Sequence, residues 1–139
     1  MLKNKALIVG IDAYSQAPLG GCTNDAEEIA KLLETNEDGS PNFSVKLKRN
    51  IQTKAELLED LHSLFKEGES DIALFYFSGH GTDEMAGQIV TPDFNSYDMG
   101  ISMNDILRLA NTSKSRNKII ILDCCYSGKL GDFSAIDSP

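Results

Sequence analysis

The chain contains no apolar run approaching the roughly 20 residues that cross a bilayer as a helix. Its opening, "MLKNKALIVGID", carries an apolar run too short for a signal peptide, and no small-residue cleavage site follows. The expectation is an intracellular, cytoplasmic protein. Basic residues are scarce, with 13 Lys and Arg against 21 Asp and Glu and a formal net charge of −8. That balance argues against nucleic acid or an anionic membrane as partner, because both require a basic face. A cationic peptide or protein suits it better. Cysteine occurs three times, as Cys22, Cys124 and Cys125, with no C-x-x-C pair and no His/Cys cluster. Those spacings argue against structural zinc and fit free thiols in a reducing compartment. Histidine occurs only twice.

Several nucleophile motifs are also missing. A phosphatase loop needs Arg six residues after its cysteine, but Gly131 and Leu130 hold those places after Cys125 and Cys124. A nucleophile elbow needs glycine two before the nucleophile, where Asp123 stands. No G-x-x-x-x-G-K-[ST] loop is found.

What is present is one domain's worth of globular chain: 139 residues, 41% hydrophobic and 24% charged. Four apolar runs read as strands, at 6–11, 44–49, 71–77 and 118–123. The first, third and fourth are nearly continuous, as central parallel strands covered on both faces are. The second alternates, with Val45 and Leu47 on one face and lysines on the other, and reads as an edge.

Helical patterns lie between them. One opens with Asn24 as N-cap and Glu27 three residues on, and aligns Ala26, Ile29, Ala30, Leu32 and Leu33. A second opens with a Thr53–Glu56 capping box and ends near Gly68. A third starts at Ser102 with Asp105 three residues on. Stretch 82–100 is irregular, with a short hairpin around Gln88–Thr91, and 36–42 and 124–139 are loops. The alternation gives an α/β domain with a mainly parallel sheet.

In such sheets, functional groups gather at the carboxyl ends of the strands. His80 follows the third strand within "SGHG" and Cys125 follows the fourth. If those strands are neighbours, an imidazole and a thiol share one rim. The imidazole can then generate the thiolate and protonate the leaving group. Gly79 and Gly81 predict a sharp turn, and the Gly81 amide suits an oxyanion donor. Taken singly, His80 has the reading of an ordinary turn and Cys125 that of a buried inert thiol.

The blocks "ALIVGIDAY", "LGGCTNDA", "SGHG" and "DCCYSG", in that order, resemble the caspase-like cysteine peptidases of family C14. The resemblance is closest to the metacaspases and their bacterial relatives; the animal-type Q-A-C-[RQG]-G pattern is absent. It implies a three-layer caspase-like (caspase-hemoglobinase) fold, of which residues 1–139 form the large-subunit region with four core strands and at least three helices. The small-subunit region, which supplies the remaining strands, would then lie outside this chain or come from a partner.

The resemblance further implies a cysteine endopeptidase with Cys125 as nucleophile, His80 as base and Cys124 packed beneath the sheet. It also implies a pocket of Cys22, Asp25, Ser78 and Asp123 that takes the basic side chain before the cleaved bond. Two carboxylates in a narrow pocket select guanidinium or ammonium, so cleavage after Arg or Lys is expected. Each acid also has a purely structural reading, Asp25 as a helix-dipole partner and Asp123 as a loop cap. Many metacaspases require calcium, but "TDEMAGQIVTPDF" offers only Asp83, Glu84 and Asp93. A calcium site needs six to eight oxygens, so no cofactor is expected. Two other readings stand beside the enzyme: a non-catalytic caspase-like module binding partners through an open sheet edge, and a flavodoxin-like domain. The last leaves "SGHG" and "DCCYSG" without a role.

Overall fold

The computed structural model describes residues 3–66, 70–83 and 87–124 together with the backbone of Cys125. In chain order the elements are β1 (Asn4–Gly10), α1 (Cys22–Glu34), β2 (Phe43–Arg49), α2 (Lys54–Lys66), β3 (Ile72–Thr82), β4 (Gln88–Asn95), β5 (Asp98–Ser102), α3 (Met103–Thr112) and β6 (Asn117–Cys125). β1 pairs in parallel with β2 and β3, and β3 pairs in parallel with β6. The parallel core therefore runs β2-β1-β3-β6. As expected, the strand bearing the histidine and the strand bearing the paired cysteines are neighbours, and β2 lies at an edge.

The pleat splits the central strands between two cores. Leu7, Val9, Ala73, Phe75 and Phe77 pack with Leu57, Leu61 and Phe65 of α2 and Ile106 of α3. The alternate residues Ala6, Ile8, Leu74 and Tyr76 pack with Ala26 and Ala30 of α1. Period-2 alternation on strands buried on both faces requires this division. The lysines of β2 turn toward α2, where Lys46 Nζ reaches the buried Asp60 Oδ1 at 2.8 Å and Lys48 Nζ its Oδ2 at 3.6 Å.

Three expectations require correction. Stretch 82–100 is not irregular: β4 and β5 form an antiparallel hairpin, and the last two residues of β3 pair with β4. Among the described residues the four expected core strands form the parallel part of the sheet, and this hairpin brings the sheet to six. Second, "SGHG" is not a turn. β3 continues straight through it to Thr82, and its glycines serve close approach rather than reversal. A Cβ on Gly79 would lie 2.7 Å from both Tyr14 Oη and Phe77 Cζ, and one on Gly81 would lie 2.8 Å from Cys124 Cβ.

Third, α1 begins at Cys22, and its N-cap residue Gly21 supplies no side chain. Asp12, ten residues upstream, caps it instead. Its Oδ1 accepts from Cys22 N at 2.8 Å, and its Oδ2 accepts from Thr23 N at 3.1 Å and Thr23 Oγ1 at 2.8 Å. The two other helix starts match expectation. Thr53 Oγ1 accepts from Glu56 N at 3.2 Å, and Ser102 Oγ accepts from Asp105 N at 3.1 Å.

Candidate active site at the carboxyl ends of β3 and β6

His80 and Cys125 occupy paired positions in the parallel β3–β6 ladder, with Gly79 opposite Cys124 and Ser78 opposite Asp123. Cys125 is the last residue of β6, within the strand rather than beyond it; its side chain lies outside the described residues. Cys124 packs against the α2 side of the sheet, its sulfur and Cβ filling the space that Gly81 leaves open. That is the place expected of it.

The imidazole of His80 is 1% exposed. Its Nε2 lies 2.8 Å from the carbonyl oxygen of Ala17. A carbonyl only accepts, so Nε2 carries the hydrogen and Nδ1 is the basic nitrogen of the neutral ring. The backbone N–H of His80 donates to Tyr14 Oη at 3.1 Å, and that hydroxyl donates to Val90 O at 2.8 Å. The Tyr14 ring meets the imidazole edge-on, with centroids 4.6 Å apart and planes at 63°. Tyr14 thus ties β3, β4 and the histidine together with one side chain.

The loop carrying Tyr14 and Ala17 is itself fastened. Asn50 adopts a left-handed φ of 53°, which Asn tolerates better than most residues. Its Oδ1 accepts from Asp12 N at 2.9 Å and Ala13 N at 3.1 Å. Partial burial works against ionisation of the Asp12 carboxyl, but the donors from Cys22 and Thr23 outweigh it and hold its pKa below the usual carboxylate value.

Ser78 is 1% exposed on β3, and Asp25 and Asp123 are solvent-exposed. Tyr76 connects them. Its hydroxyl donates to Asp123 Oδ2 at 3.3 Å; the loop that Asp123 would cap lies outside the described residues. Burial, followed by the negative charge of Asp123, pushes the Tyr76 phenol up to about 12; a hydrogen bond with Ser78 opposes the rise, and Asp25 adds to it. Asp25 lies in the first turn of α1 and Cys22 is that helix's buried first residue. Gly81 continues β3 one residue past His80 and pairs with Ile89 of β4.

Asp12, Tyr14, Ala17 and Tyr76 carry this arrangement, and none was singled out from the sequence. Asp12 and Tyr14 do stand inside the block "GIDAY". Tyr76 had a faint signal of its own, a polar-tipped aromatic in an otherwise apolar strand. Asp93 and Asp98, further along from "SGHG", are engaged with Lys54. Asp93 accepts from Lys54 N at 3.1 Å and Asp98 pairs with Lys54 Nζ at 3.0 Å. Among the described residues no three His, Cys, Asp or Glu converge as metal ligands.

A parallel sheet that brings a histidine and a cysteine into register at the carboxyl ends of adjacent strands has the layout of a caspase-like α/β domain. The family model for the caspase domain of C14 peptidases matches residues 3–138. The chain is 30% identical to Metacaspase-1A of Aspergillus terreus over 158 aligned residues, covering 99% of the chain and 38% of that protein. It is 35% identical to Metacaspase-1A of Aspergillus niger, covering 99% and 37%, and 27% identical to Metacaspase-3 of Trypanosoma cruzi, covering 92% and 41%. A crystal structure of a Geobacter sulfurreducens protein superposes with a TM-score of 0.64 at 20% identity, over 99% of this chain and 56% of that one. The chain belongs to the caspase-domain C14 family and is a caspase-like domain of metacaspase type. It spans about two fifths of the length of the metacaspases it matches. No helix among the described residues is long and apolar enough to cross a membrane.

Proposed function

We propose that this domain is the large-subunit part of a cysteine endopeptidase that cleaves after Arg or Lys through a His80–Cys125 dyad. The observation that carries the proposal is the pairing of His80 with Cys125, together with the Ala17 and Tyr14 bonds that fix the imidazole. In the reaction, His80 Nδ1 takes the thiol proton of Cys125. The thiolate attacks the scissile carbonyl, and the Gly81 amide donates to the oxyanion. His80 returns the proton to the departing amine, leaving a thioester on Cys125. Water, deprotonated by His80, attacks that thioester; its collapse releases the new carboxylate and restores the thiol.

Cys22, Asp25, Ser78 and Asp123 form the pocket for the basic side chain. Support comes from the pairing of Ser78 with Asp123 across the β3–β6 ladder, the Tyr76–Asp123 hydrogen bond, and the placing of Cys22 and Asp25 in the first turn of α1. No step requires calcium. The test is turnover of Arg- and Lys-terminated peptide reporters by the complete protein. Cys125→Ala is expected to lower kcat by at least about 10³-fold, the scale of losing a catalytic nucleophile. Cys124→Ala retains turnover, and equal activity in the two variants overturns the assignment.

A second reading, a non-catalytic module binding through its sheet edge, is favoured by one feature. Among the described residues β6 pairs only with β3, and its Ile119 and Ile121 are 38% and 43% exposed. The same feature suits completion of the sheet by a small-subunit region or a partner chain. Labelling of Cys125 by a thiolate-directed peptide inhibitor with a basic terminal residue speaks for the enzyme. Absence of labelling speaks for the module.

A further inference from the structure

We propose that Tyr76 is a positioning residue for the basic-side-chain pocket, holding Asp123 through its hydroxyl and thereby setting the preference between arginine and lysine. This inference rests on the pocket proposed above and concerns how it chooses between two cations.

Tyr76 is 5% exposed, packed among Leu74, Ile8 and the alanines of α1. Its ring therefore has one position, and its hydroxyl reaches Asp123, the β6 partner of Ser78 two residues further along β3. The bond to Asp123 is directional. A phenol held protonated well above neutrality donates at any working pH, so one of the two acceptor sites of Asp123 Oδ2 is taken by Tyr76.

Arginine recognition by a carboxylate is strongest when both oxygens accept from the guanidinium fork. A guanidinium fork then shares Oδ2 with the phenol, and an oxygen already accepting one bond is the weaker acceptor for a second, so the fork's advantage over a point-charge ammonium, which is satisfied at Oδ1 alone, is curtailed there. Asp25 remains as a second, separate acceptor. The phenol thus holds the carboxylate still for either cation while weakening the two-point contact that would favour arginine.

Removing the hydroxyl while keeping the ring separates these roles. Tyr76→Phe retains the packing against α1, and a thermal melt by circular dichroism verifies the fold. In the complete protein, kcat and KM are measured with Arg-, Lys- and norleucine-terminated reporters. The expected result is a rise of about threefold or more in the Arg/Lys ratio of kcat/KM, carried by KM. An unchanged ratio, or a shift toward lysine, overturns the inference. The same substitution in an Asp123→Asn background is expected to leave the ratio where Asp123→Asn alone puts it. An equal shift in both backgrounds also overturns it, because Tyr76 would then act without Asp123. Wild-type protein that cleaves after norleucine as readily as after Arg or Lys removes the pocket itself. A basic preference that Tyr76→Phe does not redistribute removes only the role of Tyr76.

Discussion

Tyr14 shows how much one hydroxyl can organise. It accepts from the backbone of His80 and donates to Val90, contacts 66 and 76 residues away in sequence. Tyr14→Phe leaves a buried N–H and a buried carbonyl with one bond fewer, a loss of about 1–3 kcal/mol. Because the imidazole leans on the same ring, kcat is expected to fall by about tenfold with KM less affected, as positional errors near the reacting atoms produce. Steady-state kinetics beside a denaturant titration separates the two effects. Tyr76 supplies a pH signature. Its phenol is raised to about 12 in the folded chain, against about 10 when unfolded. Below pH 10 both states hold the proton. Between about 10 and 12 only the folded state does, so folding stability declines as pH rises through that window. Tyr76→Phe should flatten the decline, measured by urea midpoints at stepped alkaline pH. At this scale His80 was legible because a lone histidine on the lip of an apolar strand stands out locally. Ala17, which orients it, was not, because its part is played by a backbone carbonyl that any residue supplies.

At the scale of elements, the start of α1 holds Cys22 and Asp25 in place, and two upstream residues position it. Gly10 ends β1 beneath the first turn of the helix, where a Cβ would lie 2.5 Å from Cys22 O and 2.8 Å from Thr23 Cα. These contacts are with backbone, so Gly10→Ala must displace the helix. Reporter cleavage after basic residues should weaken and stability should fall by about 1–3 kcal/mol, the usual cost of overpacking. Asp12→Ala removes a cap and should cost about 1–2 kcal/mol in a chemical melt. Because the Asp12 pKa is lowered on folding, its contribution is complete above the unfolded value of about 3.9. It is lost as pH falls through the lower folded one. The acid limb of the stability curve should therefore be shallower in the variant. The capping boxes of α2 and α3 were readable because donor and acceptor lie three residues apart. The cap of α1 comes from a carboxylate ten residues upstream, across a loop, and Asn24 presented the better local pattern. Likewise, glycines around His80 suggested a turn, whereas the strand needs them so that Tyr14 and Cys124 can pack against its backbone.

At the scale of the molecule, the described residues cover the two faces of the sheet unequally. α2 and α3 cover one face, while on the other α1 lies over β1, β2 and β3. Ile119 and Ile121 of β6 remain substantially exposed. If further chain packs on β6 in the complete protein, Ile121→Lys should destabilise it by about 1–3 kcal/mol, the transfer energy of a buried isoleucine. A change within about 0.5 kcal/mol, typical of surface positions, would mean that water meets that face. The order of the four core strands and three helices, the two-sided burial of β1 and β3 and the edge position of β2 were settled by local pattern, since apolar periodicity and end signals reside in neighbouring residues. The six-strand count, the Asp12 cap, the fastening of His80 by Tyr14 and Ala17, and the Tyr76–Asp123 bond were decided only by tertiary structure. Those contacts join residues brought together by strand pairing, and pairing across dozens of residues leaves no period in the chain to read.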